Sequence, residues 1–476
     1  MRSHIQRQRG RRKLMKKLKI RHLQTIAWRK LSPGKIALYS SMTVGIIILL
    51  FAIIFFFFPQ TYLNGFLKNR IIYAFTKTYP EYSLNIAGVN FNVLKNRIEC
   101  DSISLTKNDS TFSCRIGTFS LYGIGWIKLL REKKFSSNSI AESAINAKGI
   151  VLNFKQSQNQ IRCRRLHLSV PDSEIVADSV EFHPLINDEQ FFAESKFRNT
   201  RYRFVIPKIR VNGLEYSGLL SGNNYRVRSI NIKDVFVDVL VNMDQQFDTK
   251  SPSPLMPNEG LSSIKDTIRV DSLQVTNSRL NYYERYAVGA KAALVTFDKM
   301  QVLAKGIVNH TGRRDTIVIH AHGNFMNTGK MELNMLIPLG SPQFSFSYSG
   351  SLHQMELSSL NKFLEIAEHR HIKSGILHET TFNVNVNSGL ATGYVRAEYN
   401  NLSFDVLSKK TGRENGIFDE ISSFIGKTFI IRGNNMPDKS GAMKIGVVKY
   451  TRKPDEPFIQ FVWFALRSGV GNVVGF

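Results

Sequence analysis

Three cysteines among 476 residues, Cys100, Cys114 and Cys163, are too few and too scattered to frame a disulfide-rich fold or a zinc site. Each stands at an apolar place in a β pattern, where cysteine serves as a small buried hydrophobe. A single Cys100–Cys114 bridge across the turn KNDS is the alternative. Catalytic signatures are missing as well: the chain has no H-E-x-x-H, no G-x-S-x-G and no alternation of strands with helices. Two H-x-H pairs occur, His320-Ala-His322 and His369-Arg-His371, and residues i and i+2 of a strand share a face. Nothing in the sequence adds a third ligand to either pair, so both read as surface histidines. The terminal GVGNVVGF carries the glycines of a phosphate loop but follows no strand, and reads as a flexible end or a helix stop. No catalytic residue, metal or cofactor is expected.

Acidic residues are absent from positions 1 to 35, which hold 13 Lys or Arg of a chain whose net charge is +27. This tail has no aromatic but Trp28 and no nucleic-acid reading motif, so it is assigned no nucleic-acid partner; anionic lipid headgroups would attract it. It runs into IALYSSMTVGIIILLFAIIFFFF, residues 36 to 58, which are free of charge. At 1.5 Å per residue they reach about 34 Å, enough to cross a bilayer core. The stretch is too long for a signal-peptide core and shows no cleavage site before Pro59, so it is expected to stay as a transmembrane anchor. Only Lys68, Arg70 and Lys77 follow it closely. The positive-inside rule then keeps the N-terminus cytoplasmic and sends everything after Pro59 across the membrane.

Beyond a short juxtamembrane helix, 59 to 78, the apolar period changes from helical to two, as in SLNIAGVNFNVL, VFVDVLVN and TIVIHAHGNF. One pattern recurs. In IRVDSLQV, residues 268 to 275, the apolar places Ile268, Val270, Leu273 and Val275 slip by one at Asp271-Ser272. IECDSISL from Ile98 and YRVRSINI from Tyr225 slip alike, with looser copies from Cys114, Ile161, Ile175, Phe204 and Val295. Chance alone supplies roughly a dozen such apolar matches, so the weight rests on the polar fifth place in all eight copies and on their pairing. A slip of this kind is what a β-bulge produces, and repeated bulges curl a sheet. A curled sheet with one apolar face packs as a sandwich, closes as a barrel or stays open as a groove. Residues 242 to 266 carry three prolines and read as a loop or linker between two β parts, 79–241 and 267–407. Residues 408–476 read as a mixed cap, with helices near 416–426 and 456–470 around the strand AMKIGVVKYTR.

Residues 348 to 407 resemble the C-terminal region of the AsmA-like family of bacterial envelope proteins. The shared order is a G-x-L strand at Gly350 and Leu352, a Leu-rich helix from Leu357 to Leu364, an I-x-S-G-x-L strand from Ile372 to Leu377, and a last strand from Gly393 to Leu402. The resemblance implies a mainly β fold: an elongated, curled, largely antiparallel sheet left open as a groove, with a few short helices. It further implies an inner-membrane anchor, a periplasmic body, and a hydrophobic floor that holds or guides phospholipid acyl chains in lipid transport or outer-membrane homeostasis. A periplasmic or outer-membrane protein would be the partner. Floor candidates are Ile98, Ile103, Leu105, Leu166, Leu168, Ile230, Ile232, Leu273 and Val275. One strand per ~13 residues would give about 25 strands and a sheet of ~120 Å. The rival readings are a scaffolding protein whose sheet closes on its own core and a membrane-bound hydrolase using the histidines.

Overall fold

The computed structural model describes residues 45–49, 59–92, 95–125, 137–309, 315–340, 344–407 and 432–475. Of the expected anchor only residues 45–49, which are helical, fall among them, and the expected helix at 416–426 lies outside them. Among the described residues no helix is long and apolar enough to cross a membrane. The chain divides into residues 1–67 and 68–476, and the second unit contains every described strand. Helix α1 (Pro59–Thr78) runs from the first unit into the second.

Among the described residues seventeen strands form one sheet. They are β1 (Tyr82–Asn92), β2 (Arg97–Lys107), β3 (Phe112–Tyr122), β4 (Ala144–Phe154), β5 (Asn159–Ser169), β6 (Glu174–Pro184), β7 (Thr200–Asn212), β8 (Asn224–Lys233) and β9 (Phe236–Asn242). After the linker come β10 (Thr267–Arg285), β11 (Ala293–Val308), β12 (Thr316–Phe325), β13 (Gly329–Pro338), β14 (Ser345–Glu356), β15 (Arg370–Asn387), β16 (Leu390–Val406) and β17 (Gly446–Thr451). Each strand pairs antiparallel with the next from β1 to β8 and from β10 to β17. In the middle, β8 and β9 lie end to end in one row, antiparallel to β7 and parallel to β10.

That parallel pairing requires the chain to return to the end from which β8 started, which no tight turn can do. Residues 243–266 make the return. They are more than slack, since they form α5 (Pro257–Ser262), bury Met256 completely and accept a 2.8 Å hydrogen bond from Arg452 at the Pro254 carbonyl. Among the described residues β1 pairs only with β2 and β17 only with β16, so the sheet is neither a barrel nor a sandwich. Sixteen rows at ~4.8 Å make it about 70 Å across, well below the ~120 Å expected. The excess came from strand length: β10, β11, β15 and β16 run 19, 16, 18 and 17 residues.

At the expected slip in VTFDKMQV two residues of β11 stand opposite one of β10 and one of β12, which is a bulge, but the slips from β1 to β7 leave residues out differently. A bulge adds a residue to one strand alone. Here both partners omit one, Ala87 opposite Ser102, Ser102 opposite Gly117, and so on through Gly149, Arg164, Ser179 and Pro207 to β7. Register is therefore the same before and after the kink. Ser102, Gly149 and Ser179, in alternate strands, take the left-handed conformation with φ of 49°, 63° and 51°. One such residue between extended neighbours reverses the side-chain alternation, which is why the apolar places step by three there. The slip in IRVDSLQV falls on Asp271, left out opposite Arg228 and Gly306.

Other short helices punctuate the meander: α2 (Ser137–Ile140), α3 (Asp188–Ala193), α4 (Tyr216–Ser221) and α6 (Asn361–Ala367). The GVGNVVGF end is not loose, because helix α7 (Phe458–Val474) continues through it to a left-handed Gly475. Phe461, Ala465 and Val473 of α7 are fully buried against β14 to β17, and the Tyr348 hydroxyl donates to the Val462 carbonyl at 3.1 Å. Two glycines allow this approach: a Cβ on Gly446 would lie 2.0 Å from the Gly469 carbonyl oxygen, and one on Gly469 would lie 2.6 Å from Val395. Gly446→Ala should therefore cost about 1–3 kcal/mol by overpacking. In hydrogen exchange, amides 461–473 should lose protection before those of β4 to β6; uniform loss across both would count against a locally seated helix.

Candidate functional site

Register is constant from β1 to β7, and although it shifts within the β10–β11, β11–β12 and β15–β16 pairings, rows of direct partners can be followed across the sheet. One row runs Phe91, Ile98, Leu121, Ile145, Leu168, Ile175, Val211, Ile230, Leu273, Ala304, Ile319, Met335, Tyr348, Val384, Gly393, Val448, with each residue the direct partner of the next. No charged side chain interrupts it. Two residues along the strands a second row contains Cys100, Leu166, Ile209, Ile232, Val275, Val302 and Leu333, again apolar or glycine throughout. Beyond the kink, Ile103 pairs with Ile86 and Ile116, and Leu105 with Leu84 and Cys114. The Leu105 row continues through Leu152, Ile161, Phe182, Phe204, Val237, Leu280, Phe297 and Phe325.

All nine floor candidates therefore belong to rows of one apolar face. The row between the first two points the other way and reads Asn90, Glu99, Ser120, Asn146, His167, Val176, Arg210, Asn231, Gln274, Leu303, His320, Asn334. It is mainly polar, as solvent demands of a one-sided sheet.

Cover differs along the apolar face. None of the nine candidates is fully buried; each is half-buried, with partners on either side in the sheet. In the same first row, Met335, Tyr348, Val384 and Val448 fall to 4%, 2%, 0% and 1% exposure, because α7 and its neighbours lie over them. One continuous row thus passes from half-buried to fully buried.

Polar side chains are buried near Arg467 of α7, and periodicity gave no sign of them. Tyr282 and Tyr286 donate to Glu284 at 2.9 and 2.5 Å, and Arg467 of α7 lies 3.3 Å from Glu368, which follows α6. Burial pushes both tyrosine hydroxyls far above their ordinary range, and the Glu284 charge adds to it. Burial also lowers the Arg467 and Arg370 guanidinium pKa values. On the opposite face, Arg201 is held by Asp188 at 3.1 Å and by Asp238, while Arg285 reaches Glu189 at 3.0 Å and stacks 4.6 Å over Phe192. These pairs clamp α3 to β7, β9 and β10. A hollow on the polar face is lined by Asp234, Asn277, Arg279, Asp298, Lys299 and Asn324, where Asp298 pairs with Arg279.

The cysteines are free. Cys114 pairs with Leu105 and Cys100 with Phe119, which sets the two about 17 Å apart along neighbouring strands, beyond disulfide reach. Burial raises the pKa of all three thiols. His320 belongs to the polar row and bonds Asn334 at 2.6 Å, and His371 bonds Glu365 at 2.7 Å. Among the described residues no group of three His, Cys, Asp or Glu could hold a metal.

Compared with protein-family models and with curated proteins, the chain has no match in either. Replacing His320 and His322 together by Asn should change stability by no more than the ~0.5 kcal/mol typical of surface positions, as read by thermal unfolding. Stoichiometric zinc in untagged protein, lost in the double variant, would be the contrary result.

Proposed function

We propose that this chain is a membrane-anchored, AsmA-like envelope protein whose apolar sheet face holds phospholipid acyl chains. The observation that carries the reading is the unbroken half-buried row through Ile98, Leu168, Ile230 and Leu273, flanked by Leu166, Ile232 and Val275. Acyl chains laid on such a face gain about 0.8 kcal/mol per buried CH₂. A floor of branched aliphatic side chains offers no directional polar contact, so a chain held there can slide, and no catalytic group is needed. The elements at 348–407 follow the family's order, with β14, the turn and helix at 357–367, β15 and β16 in sequence. An anchor at 36–58 with a periplasmic body fits the same reading, as do inner-membrane phospholipid as the ligand source and a partner toward the outer membrane. Lipid transport or outer-membrane homeostasis would be the process served, with the sheet curled into a groove.

The scaffolding alternative draws on the packed core beneath α7, where Tyr348, Val384, Val395 and Phe461 are buried as in any closed domain. Leu273→Asp separates the two readings. On an uncovered floor the carboxylate stays hydrated, so the variant should fold and insert normally but lose co-purifying phospholipid, as should Ile230→Asp. In a packed core an unpaired buried charge costs several kcal/mol, and the variant would unfold. Substitutions at Gln274 and Arg269, on the polar face, should do neither.

Reporter fusions test the topology separately. A fusion after residue 150 should be active in the periplasm and one before residue 30 in the cytoplasm; reversed polarity would remove the envelope reading.

A further inference from the structure

We infer that the apolar floor is a bounded trough, closed at both ends by this chain's own helices, which stores long-chain diacyl phospholipid and does not pass it lengthwise through the sheet. The inference rests on the acyl-chain reading above and fixes the extent of that site.

The closed end at β14 to β17 is built, not incidental. The floor rows continue beneath α7 without change of chemistry, through Val384, Val395 and Val448, so apolarity alone would let an acyl chain proceed. Helix α7 fills that space instead. Its approach uses glycine on both sides, Gly446 in β17 and Gly469 in the helix, at backbone contact that any side chain would block. A helix that lifts away routinely has no need of such a seat. Near Arg467 of that helix lie its partner Glu368 and Glu284, the latter with Tyr282 and Tyr286. A methylene chain pushed into these groups would displace hydrogen-bonded carboxylates and give them nothing in return.

The other end is covered too. Among the described residues β1 has a partner strand on one side only, and an uncovered edge strand should be the most exposed row of the floor. Yet Ile86 and Val89 are only 2% and 7% exposed. Lys68 of α1 donates to the Ala87 carbonyl at 3.2 Å, between those two residues, and Ile71, Ile72 and Phe75 on that helix are half-buried. Burial already sets in at Ala304, Ile317 and Met335 of β11 to β13, which are 6%, 5% and 4% exposed, so the half-buried floor comprises the rows from β2 to β10. Eight rows at ~4.8 Å give a floor about 35 Å long. One leaflet, half of the ~30 Å hydrocarbon core, is about 15 Å, so two acyl-chain lengths fit end to end. Lipid must then enter and leave sideways, over the long rims of the trough.

Photo-crosslinking in the full-length protein, reconstituted with vesicles of phosphatidylethanolamine and phosphatidylglycerol, tests the boundary. Benzoylphenylalanine at Leu121, Leu168 or Ile230 should label lipid. The same probe at Leu333 or Leu352, half-buried against the core that α7 closes, should give less than a tenth of that yield. Gly469→Leu, which unseats α7, should raise labelling at Leu352 at least tenfold. Equal labelling at Leu168 and Leu352 in the unaltered protein would overturn the trough while leaving acyl-chain binding standing. Persistent silence at Leu352 after α7 becomes protease-sensitive would show that the roof is not what ends the floor, and would overturn it too. No labelling at any position would sink the acyl-chain reading, and the trough with it.

Discussion

Cross-strand register is the constraint on which the rest of this structure depends. A strand that moves by one residue against its neighbour turns its apolar set to the opposite face. In a sheet of sixteen rows a single such error would cut the apolar surface in two. The kinks run that risk, since each reverses the alternation within its own strand. They avoid it by occurring at the same level in every strand from β1 to β7, so that Ala87, Ser102, Gly117, Gly149, Arg164, Ser179 and Pro207 stand in line and the pairs beyond them remain matched. The cost is local. A left-handed serine is disfavoured by roughly 1–2 kcal/mol, and alternating it with glycine and ordinary conformations limits how often it is met.

Where apolar side chains on one face of the sheet are only half-buried, as among the described residues from β2 to β10, hydrophobic stabilisation on the order of 25 cal/mol is lost for every Å² left in water. The fold compensates elsewhere. Long antiparallel ladders satisfy the backbone, the polar face is solvated, and the dense packing is concentrated where helices cover the floor, around Tyr348, Val384, Phe461 and Met256. The clamps of Arg201 and Arg285 hold the one place where the meander is broken, the tandem β8 and β9 row. Removing one partner of a buried pair such as Arg201–Asp238 typically costs 3–5 kcal/mol, so that pair acts more as a specifier of the β9 docking than as a net stabiliser, while Arg285–Glu189, with its carboxylate exposed, contributes less.

The parts of this architecture that follow from nearest-neighbour pattern were legible in the sequence. The one-residue slip in IECDSISL and IRVDSLQV located the kinks because apolar spacing records which face a side chain takes. Their form was not legible: whether a partner strand omits a residue too depends on pairing, which one strand's sequence does not contain. Strand number was misjudged because β10 and β15 carry their kinks inside long ladders, where a turn would otherwise have been counted. The GVGNVVGF end is a helix stop at Gly475, one of its two readings, but that the helix runs on through Gly469 and Gly471 was not legible, for a related reason. Glycine lowers helix propensity, but Gly469 is there to meet Gly446, a contact between residues far apart in tertiary packing only. Likewise YYERY gave a strand without revealing that Glu284 would face Arg467 and Glu368 across the end of the floor.

On the proposed reading, selectivity cannot reside in the floor. Isoleucine, leucine and valine rows distinguish an acyl chain from water, but one chain from another only through the methylenes that remain unburied, each worth about 0.8 kcal/mol. Discrimination must come from groups at the boundaries, where chemistry changes abruptly. Glu284 and the Arg467–Glu368 pair set such a boundary at one end, and the α1 contact at Ala87 sets one at the other. A trough with an indifferent interior and strict ends would accept many phospholipids and limit their number. That combination suits a protein that buffers or hands over bulk membrane lipid better than one that selects a single species.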